Sequence, residues 1–213
     1  MALELDHVVV AARTLDEGAA WIEARLGIAP AGGGKHAVMG THNRLLSLGP
    51  AAYLEVMAID PEAPPPGRPR WFSLDTPEMA ARLESGPALV HWVARTDDIR
   101  RDVALFPGPR PEILEMQRGD FRWRMGVPAD GLLPDAGTRP TLIQWLGDRP
   151  SSVLRDAGVR LERLRLHHPR AALTLESLDR GAFAPRGSVE SVPRGPVLQA
   201  LFQASRGTVA LPE

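Results

Sequence analysis

Leu5 to Ala12 reads LDHVVVAA, a short β-branched run that is largely apolar on both faces. That pattern marks a buried strand, because a strand covered on one face only alternates apolar and polar residues. A helix follows. Thr14 offers an N-cap with Glu17 as its capping-box partner, and Leu15, Ala19, Ile22 and Leu26 fall at helical spacing. Gly27 then ends the helix as a C-cap glycine. The glycine run at Gly32, Gly33 and Gly34 breaks the chain, and a short strand is predicted around His36 to Met39. Asn43 to Leu48 and Ala52 to Ile59 are strand-like, with Gly49-Pro50 turning between them. The order is β-α-β-β-β.

Further along, the same order recurs. Asp60 to Pro69 carries five prolines and reads as a stiff connection, with room for one short helix from Pro77 to Leu83. Ala88 to Ala94 (ALVHWVA) is again apolar around a single histidine, and Thr96 and Asp97 cap a helix predicted through Phe106. Ile113 to Arg118 and Phe121 to Val127 form a hairpin around Gly119-Asp120, and Thr141 to Leu146 (TLIQWL) closes the set. His7 precedes Arg13-Thr14 as His91 precedes Arg95-Thr96, and YLEV (Tyr53 to Val56) matches LIQW (Leu142 to Trp145), aligning Glu55 with Gln144. The tail reads as a shrunken third copy: a strand at Val159 to His168, a helix at Ala171 to Leu178, and three short apolar runs. Those runs are Ser188 to Val192, Val197 to Gln203 and Thr208 to Leu211. The expected division is 1–60 for the first module, 61–87 for the connection, 88–148 for the second module and 149–213 for the partial third.

Bulk properties narrow the function classes. The 213 residues are 44% hydrophobic and 24% charged, enough for a buried core. A formal net charge of −1 provides no global attraction to nucleic acid or to acidic membranes. With no cysteine, thiolate metal sites and a cysteine nucleophile are excluded. The first residues lack the basic and apolar segments of a secretory signal, and no apolar run of about eighteen residues is present. A cytoplasmic location is expected, without a membrane or nucleic-acid partner and with a homodimer left open. The GGG run lacks the Gly-Lys-Ser/Thr of a phosphate-cradling loop, and there is neither a GxSxG elbow nor an HExxH helix.

The chemistry is expected where polar groups interrupt apolar strands. His7, Glu55, His91 and Gln144 each do so, and a buried imidazole or carboxylate without partners costs several kcal/mol. If the two modules pair by a pseudo-twofold axis, the four converge on one cavity. The plainer alternative is that each histidine is a satisfied core residue. His42 and Asn43, at the entry to the middle strands, and Trp123 are candidates for contact with a substrate; His36, Trp71 and Phe72 are further candidates for the cavity mouth and walls.

The segments LDHVVVAARTLDE, MGTHN and YLEV resemble the glyoxalase-like group of bacterial proteins within the vicinal oxygen chelate superfamily. The resemblance covers Met1 to about Gly147 and extends loosely into the tail. It implies an α+β fold of paired βαβββ modules forming a curved mixed sheet around a cavity, here with a C-terminal partial third module. It also implies a divalent metal held by first- and last-strand residues, which falls on His7, Glu55, His91 and Gln144. Two histidines and a carboxylate suit Fe, Mn, Ni or Zn with open coordination positions. Glutamine cannot accept a carbon-bound proton at neutral pH, which disfavours a lactoylglutathione lyase and leaves Glu55 as the catalytic base. Two functions are expected from this reading. One is a metal-dependent lyase, isomerase or dioxygenase acting on a small molecule with vicinal oxygens; the other is a metal-free protein that binds or sequesters a small molecule.

Overall fold

The structure, a computed structural model, describes residues 2–185, 188–195, 197–205 and 207–212. The first module runs β1 (Glu4–Ala11), α1 (Leu15–Leu26), β2 (Ala31–His36), β3 (Thr41–Ser47) and β4 (Tyr53–Ile59). Helix α1 starts where the Thr14 hydroxyl accepts from the Glu17 N–H and stops at Gly27, which is left-handed at φ 79°. After α2 (Pro77–Glu84) in the connection, the second module runs β5 (Ala88–Arg95), α3 (Ile99–Asp102), β6 (Glu112–Arg118), β7 (Phe121–Val127) and β8 (Thr141–Trp145). The helix predicted through Phe106 is thus one α-turn extended by a 3-10 turn at Val103–Leu105. A short α4 (Pro150–Val153) leads to the third segment: β9 (Arg160–Leu166), α5 (Ala171–Arg180), β10 (Val189–Ser191), β11 (Leu198–Ala204) and β12 (Gly207–Leu211).

Eight strands form one mixed sheet in the order β2-β3-β4-β1-β5-β8-β7-β6, and the tail forms a second sheet in the order β10-β9-β11-β12. The two modules join through antiparallel β1 and β5 at the sheet centre. There His7 pairs with Val93, Val8 with Trp92 and Val9 with His91. The large sheet curls until its edge strands β2 and β6 come into contact.

Its two faces belong to different cores. Val8, Val10, Leu54, Val56, Trp92 and Leu142 pack outward against α1 and the tail module, whose Leu164 and Phe202 join the same cluster. Val9, Met57, Val93, Met125 and Ile143 face the concave side with Trp71 and Phe72. Register shifts between Leu5 and His7 and between Val9 and Val10 move Leu5 and Leu89 to the outer core, although strict alternation would put them beside the two histidines.

One strand differs from the sequence reading. The glycine run does not break the chain; it lies inside β2, and the turn falls at 37–40. Gly33 takes φ +98°, and a Cβ there would meet the Asn43 carbonyl oxygen at 2.0 Å, so the close approach of β2 to β3 requires glycine.

Candidate active site

On the concave face a narrow cleft is lined by His7, His36, Glu55, Arg118 and Tyr53, with Met57, Trp71, Phe72, Trp123, Met125, Ile143 and Trp145 as walls. Sheet pairing brings the polar groups together: Val9 sits beside Glu55 on β4 and beside His91 on β5, so His7, Glu55 and His91 share one face. His7 and Glu55 are both buried, and His7 Nε2 lies 3.5 Å from Glu55 Oε2.

Each member of this pair is held from behind. The bulge at the start of β1 turns the buried Asp6 carboxylate toward the cleft, where its Oδ1 receives the His7 Nδ1–H at 2.7 Å and its Oδ2 receives the Trp145 indole N–H at 2.9 Å. This fixes the ring and leaves Nε2 facing Glu55. Tyr53 stacks on the His7 ring with centroids 4.6 Å apart. Burial, together with the charges of Asp6 and Glu55, raises the Tyr53 hydroxyl well above its ordinary pKa. On the other side the Asn43 amide donates to Glu55 Oε1. The orientation of that amide is fixed because Asn43 Oδ1 accepts the Gly34 N–H at 2.9 Å.

His36 is the third imidazole of the neighbourhood. Its Nε2 faces two donors, Arg118 Nη1 at 3.2 Å and Asn43 Nδ2 at 3.3 Å, so that nitrogen accepts and Nδ1–H donates to Thr41 Oγ1 at 3.0 Å. The ring is neutral; burial lowers its pKa to about 4 against the pull of Glu55.

His91 is differently committed. Its Nδ1 can only donate to the Gly137 carbonyl at 3.2 Å, and its Nε2 accepts the Thr141 backbone N–H at 3.1 Å. Both nitrogens are used, and burial lowers the pKa to about 3. Gln144 lies across the sheet. Its neighbours in the strand, Ile143 and Trp145, line the cleft, while Gln144 caps α3 by donating to the Asp97 carbonyl at 2.6 Å and accepting the Ile99 N–H at 3.3 Å. The pseudo-twofold axis explains the difference. It passes through the Val8–Trp92 pair and exchanges Val9 with Val93; Glu55 is the neighbour of Val9, and the neighbour of Val93 is Thr141. The counterpart of Glu55 is therefore Thr141, and matching YLEV to LIQW sets the register three residues too late.

Of the other candidates, Trp123 walls the cleft, Asn43 braces Glu55 and His36, and His42 points away, 4.0 Å from Asp60. Arg118 and Asp6 had no place in the sequence reading. The alternation Leu114, Met116, Arg118 on β6 was the available sign that Arg118 faces inward, whereas the Asp6 bulge leaves no trace in the sequence pattern.

The four residues proposed for a divalent ion do not fit one. His91 has no free lone pair and Gln144 faces the opposite core, which leaves His7 and Glu55, one ligand short of the three protein ligands of a catalytic site. His36 Nε2 would be the nearest replacement, but the Arg118 guanidinium is already against it and would repel a cation. Among the described residues, no three His, Cys, Asp or Glu side chains are grouped to hold a metal ion. No helix among them is long and apolar enough to cross a membrane.

Comparison with known proteins places the chain in a family. A hypothetical protein from Staphylococcus aureus shares the fold at a TM-score of 0.55 and 14% identity, over 99% of this chain and 84% of that one. A methylmalonyl-CoA epimerase from Mycobacterium tuberculosis aligns at 0.40 and 19% identity, over 66% of this chain and 85% of its own. One from Streptomyces coelicolor in complex with 2-nitronate-propionyl-CoA aligns at 0.43 and 18%, over 70% of this chain and 100% of its own. No curated protein matches. The profile of the glyoxalase-like domain matches residues 5–181. With most of its length matched, the chain belongs to the glyoxalase-like domain family.

Proposed function

We propose that the chain is a small-molecule enzyme that moves a proton at a carbon beside a carbonyl group, with Glu55 as the base. The observation that carries this reading is a buried carboxylate facing an aromatic cleft, with one oxygen held by Asn43 and the other 3.5 Å from His7 Nε2. A carboxylate so confined is poorly solvated, and general bases are commonly built this way. In the forward step the substrate C–H bond breaks and the proton passes to Glu55 Oε2. The electron pair moves onto the carbonyl oxygen as an enolate, and return of the proton to the same or a neighbouring carbon completes an isomerisation. His7, oriented by Asp6, steadies the protonated carboxyl from Nε2. No step runs through a metal ion, because the ligand set expected from the family resemblance is not assembled.

The test is deuterium wash-in from D2O, followed by NMR across a panel of small 2-oxo and 2-hydroxy compounds. Exchange that depends on Glu55 and is lost in Glu55→Gln supports the reading; equal exchange in both proteins ends it. The aromatic walls favour a second reading, a metal-free binding protein. That reading gives ligand binding with no Glu55-dependent exchange.

A further inference from the structure

Two donors in the cleft lack the partner their chemistry calls for. The Trp71 indole N–H is buried and has no hydrogen-bond partner. Arg118 donates one hydrogen bond, to the neutral His36 ring, and lies over the Phe121 ring with its guanidinium 5.8 Å from the centroid, but it has no carboxylate partner among the described residues. A guanidinium offers five N–H donors in a planar fork, so most of its capacity is unspent.

Both side chains stand against His36. The His36 ring touches Trp71 edge-on, with centroids 5.1 Å apart, and accepts from Arg118 on its Nε2. Arg118 also lines the wide open groove between β2 and β6, so its side chain stands where that groove meets the cleft. The glycines of β2 make this placement work. A Cβ on Gly34 would lie 2.8 Å from Arg118 Cδ, so a larger residue would displace the arginine from the mouth.

We infer that the molecule received here is a small monocarboxylate with a flat apolar body, its carboxylate taken by Arg118 and the Trp71 N–H. The walls select the body: Phe72, Trp123 and Trp145 present aromatic surface, and Met57 and Met125 present deformable apolar surface. The charge balance selects the head group. One guanidinium pairs with one carboxylate, whereas a phosphate would bring nearly two further negative charges to a cleft that already holds the Glu55 and Asp6 carboxylates. With the carboxylate taken by these donors, the carbon beside a 2-oxo group is the part of the ligand left for Glu55 to deprotonate.

This inference rests on the proton-transfer reading for its purpose and is separable from it by experiment. Calorimetric titration of the full chain compares phenylpyruvate, its neutral counterpart phenylacetone, and ring-free pyruvate. Phenylpyruvate is expected to bind at least about tenfold tighter than either. Arg118→Met should bring phenylpyruvate down to the level of phenylacetone while phenylacetone binding persists, which also confirms that the variant is folded. Trp71→Phe should weaken phenylpyruvate several-fold. Equal affinity for phenylpyruvate and phenylacetone, an Arg118→Met protein that binds phenylpyruvate undiminished, or no binding of any of the three overturns the assignment. Glu55→Gln separates the two ideas. Arg118-dependent binding of phenylpyruvate without Glu55-dependent exchange at its methylene refutes the catalysis and keeps the ligand class. Glu55-dependent exchange on neutral ketones without a carboxylate preference refutes the ligand class and keeps the catalysis.

Discussion

His7 Nε2 faces the Glu55 carboxylate at 3.5 Å, whereas its pseudo-symmetric counterpart, His91 Nε2, is taken by the Thr141 backbone N–H at 3.1 Å. One half of the molecule thus keeps a histidine–carboxylate pair facing the cleft, and the other has closed the equivalent positions into its core.

Substitution of the two histidines should separate these roles. His91→Leu leaves the Gly137 carbonyl and the Thr141 N–H without a partner and should cost about 2–4 kcal/mol in urea unfolding. His7→Asn should unfold nearly as the parent does, yet lose most Glu55-dependent exchange. Equal stability losses in the two variants would contradict this division.

Glu55→Gln removes a buried charge while retaining an oxygen for the Asn43 amide. Exchange should fall by at least about a hundredfold, in line with removal of a general base. Because a buried carboxylate costs desolvation energy, the thermal midpoint should hold or rise. A marked fall in the midpoint would mean that Glu55 serves the fold rather than a reaction.

Stability should fall as the solution is acidified. His36 and His91 have folded pKa values lowered to about 4 and about 3, below the ordinary 6.5. Above pH 6.5 both states keep these rings neutral and nothing is lost. Between pH 6.5 and about 4 the unfolded chain binds protons that the native one refuses, costing up to about 1.4 kcal/mol per pH unit for each ring. Urea midpoints measured at pH 7, 6 and 5 check this, and a flat profile would show that the rings titrate normally.

The adjacent glycines of β2 should respond differently to alanine. Gly33→Ala meets backbone at a positive φ and should destabilise by roughly 2 kcal/mol or more. Gly34→Ala meets only the flexible stem of Arg118 and should leave stability within about 1 kcal/mol while weakening phenylpyruvate binding. Thermal melts and titration of both variants provide the comparison.

Chelation provides a last check. Dialysis against EDTA should leave phenylpyruvate affinity and unfolding midpoint unchanged, since His91 and Gln144 are engaged elsewhere. A reproducible loss restored by one divalent metal would establish a ligand set this geometry does not contain.

Local patterns were readable in the chain itself. Apolar strands, the Thr14 cap and the Gly27 stop depend on neighbouring residues, so the β-α-β-β-β order and its repeat followed from the sequence, as did the partial third module. The glycine run is the exception, since glycine permits a strand as readily as a break, and only the nearness of β3 decides which.

Facing and partnership were settled by tertiary structure. His7 and Glu55 were legible because one strand pairing joins them, but a single bulge turned Asp6 inward, and the register of β8 carried Gln144 to the outer core. Arg118 entered the cleft because curling of an eight-stranded sheet brought its two edges together. Strand character is fixed by residues a few positions apart, whereas register and curl are fixed by contacts between distant segments; the composition of the site follows from the second.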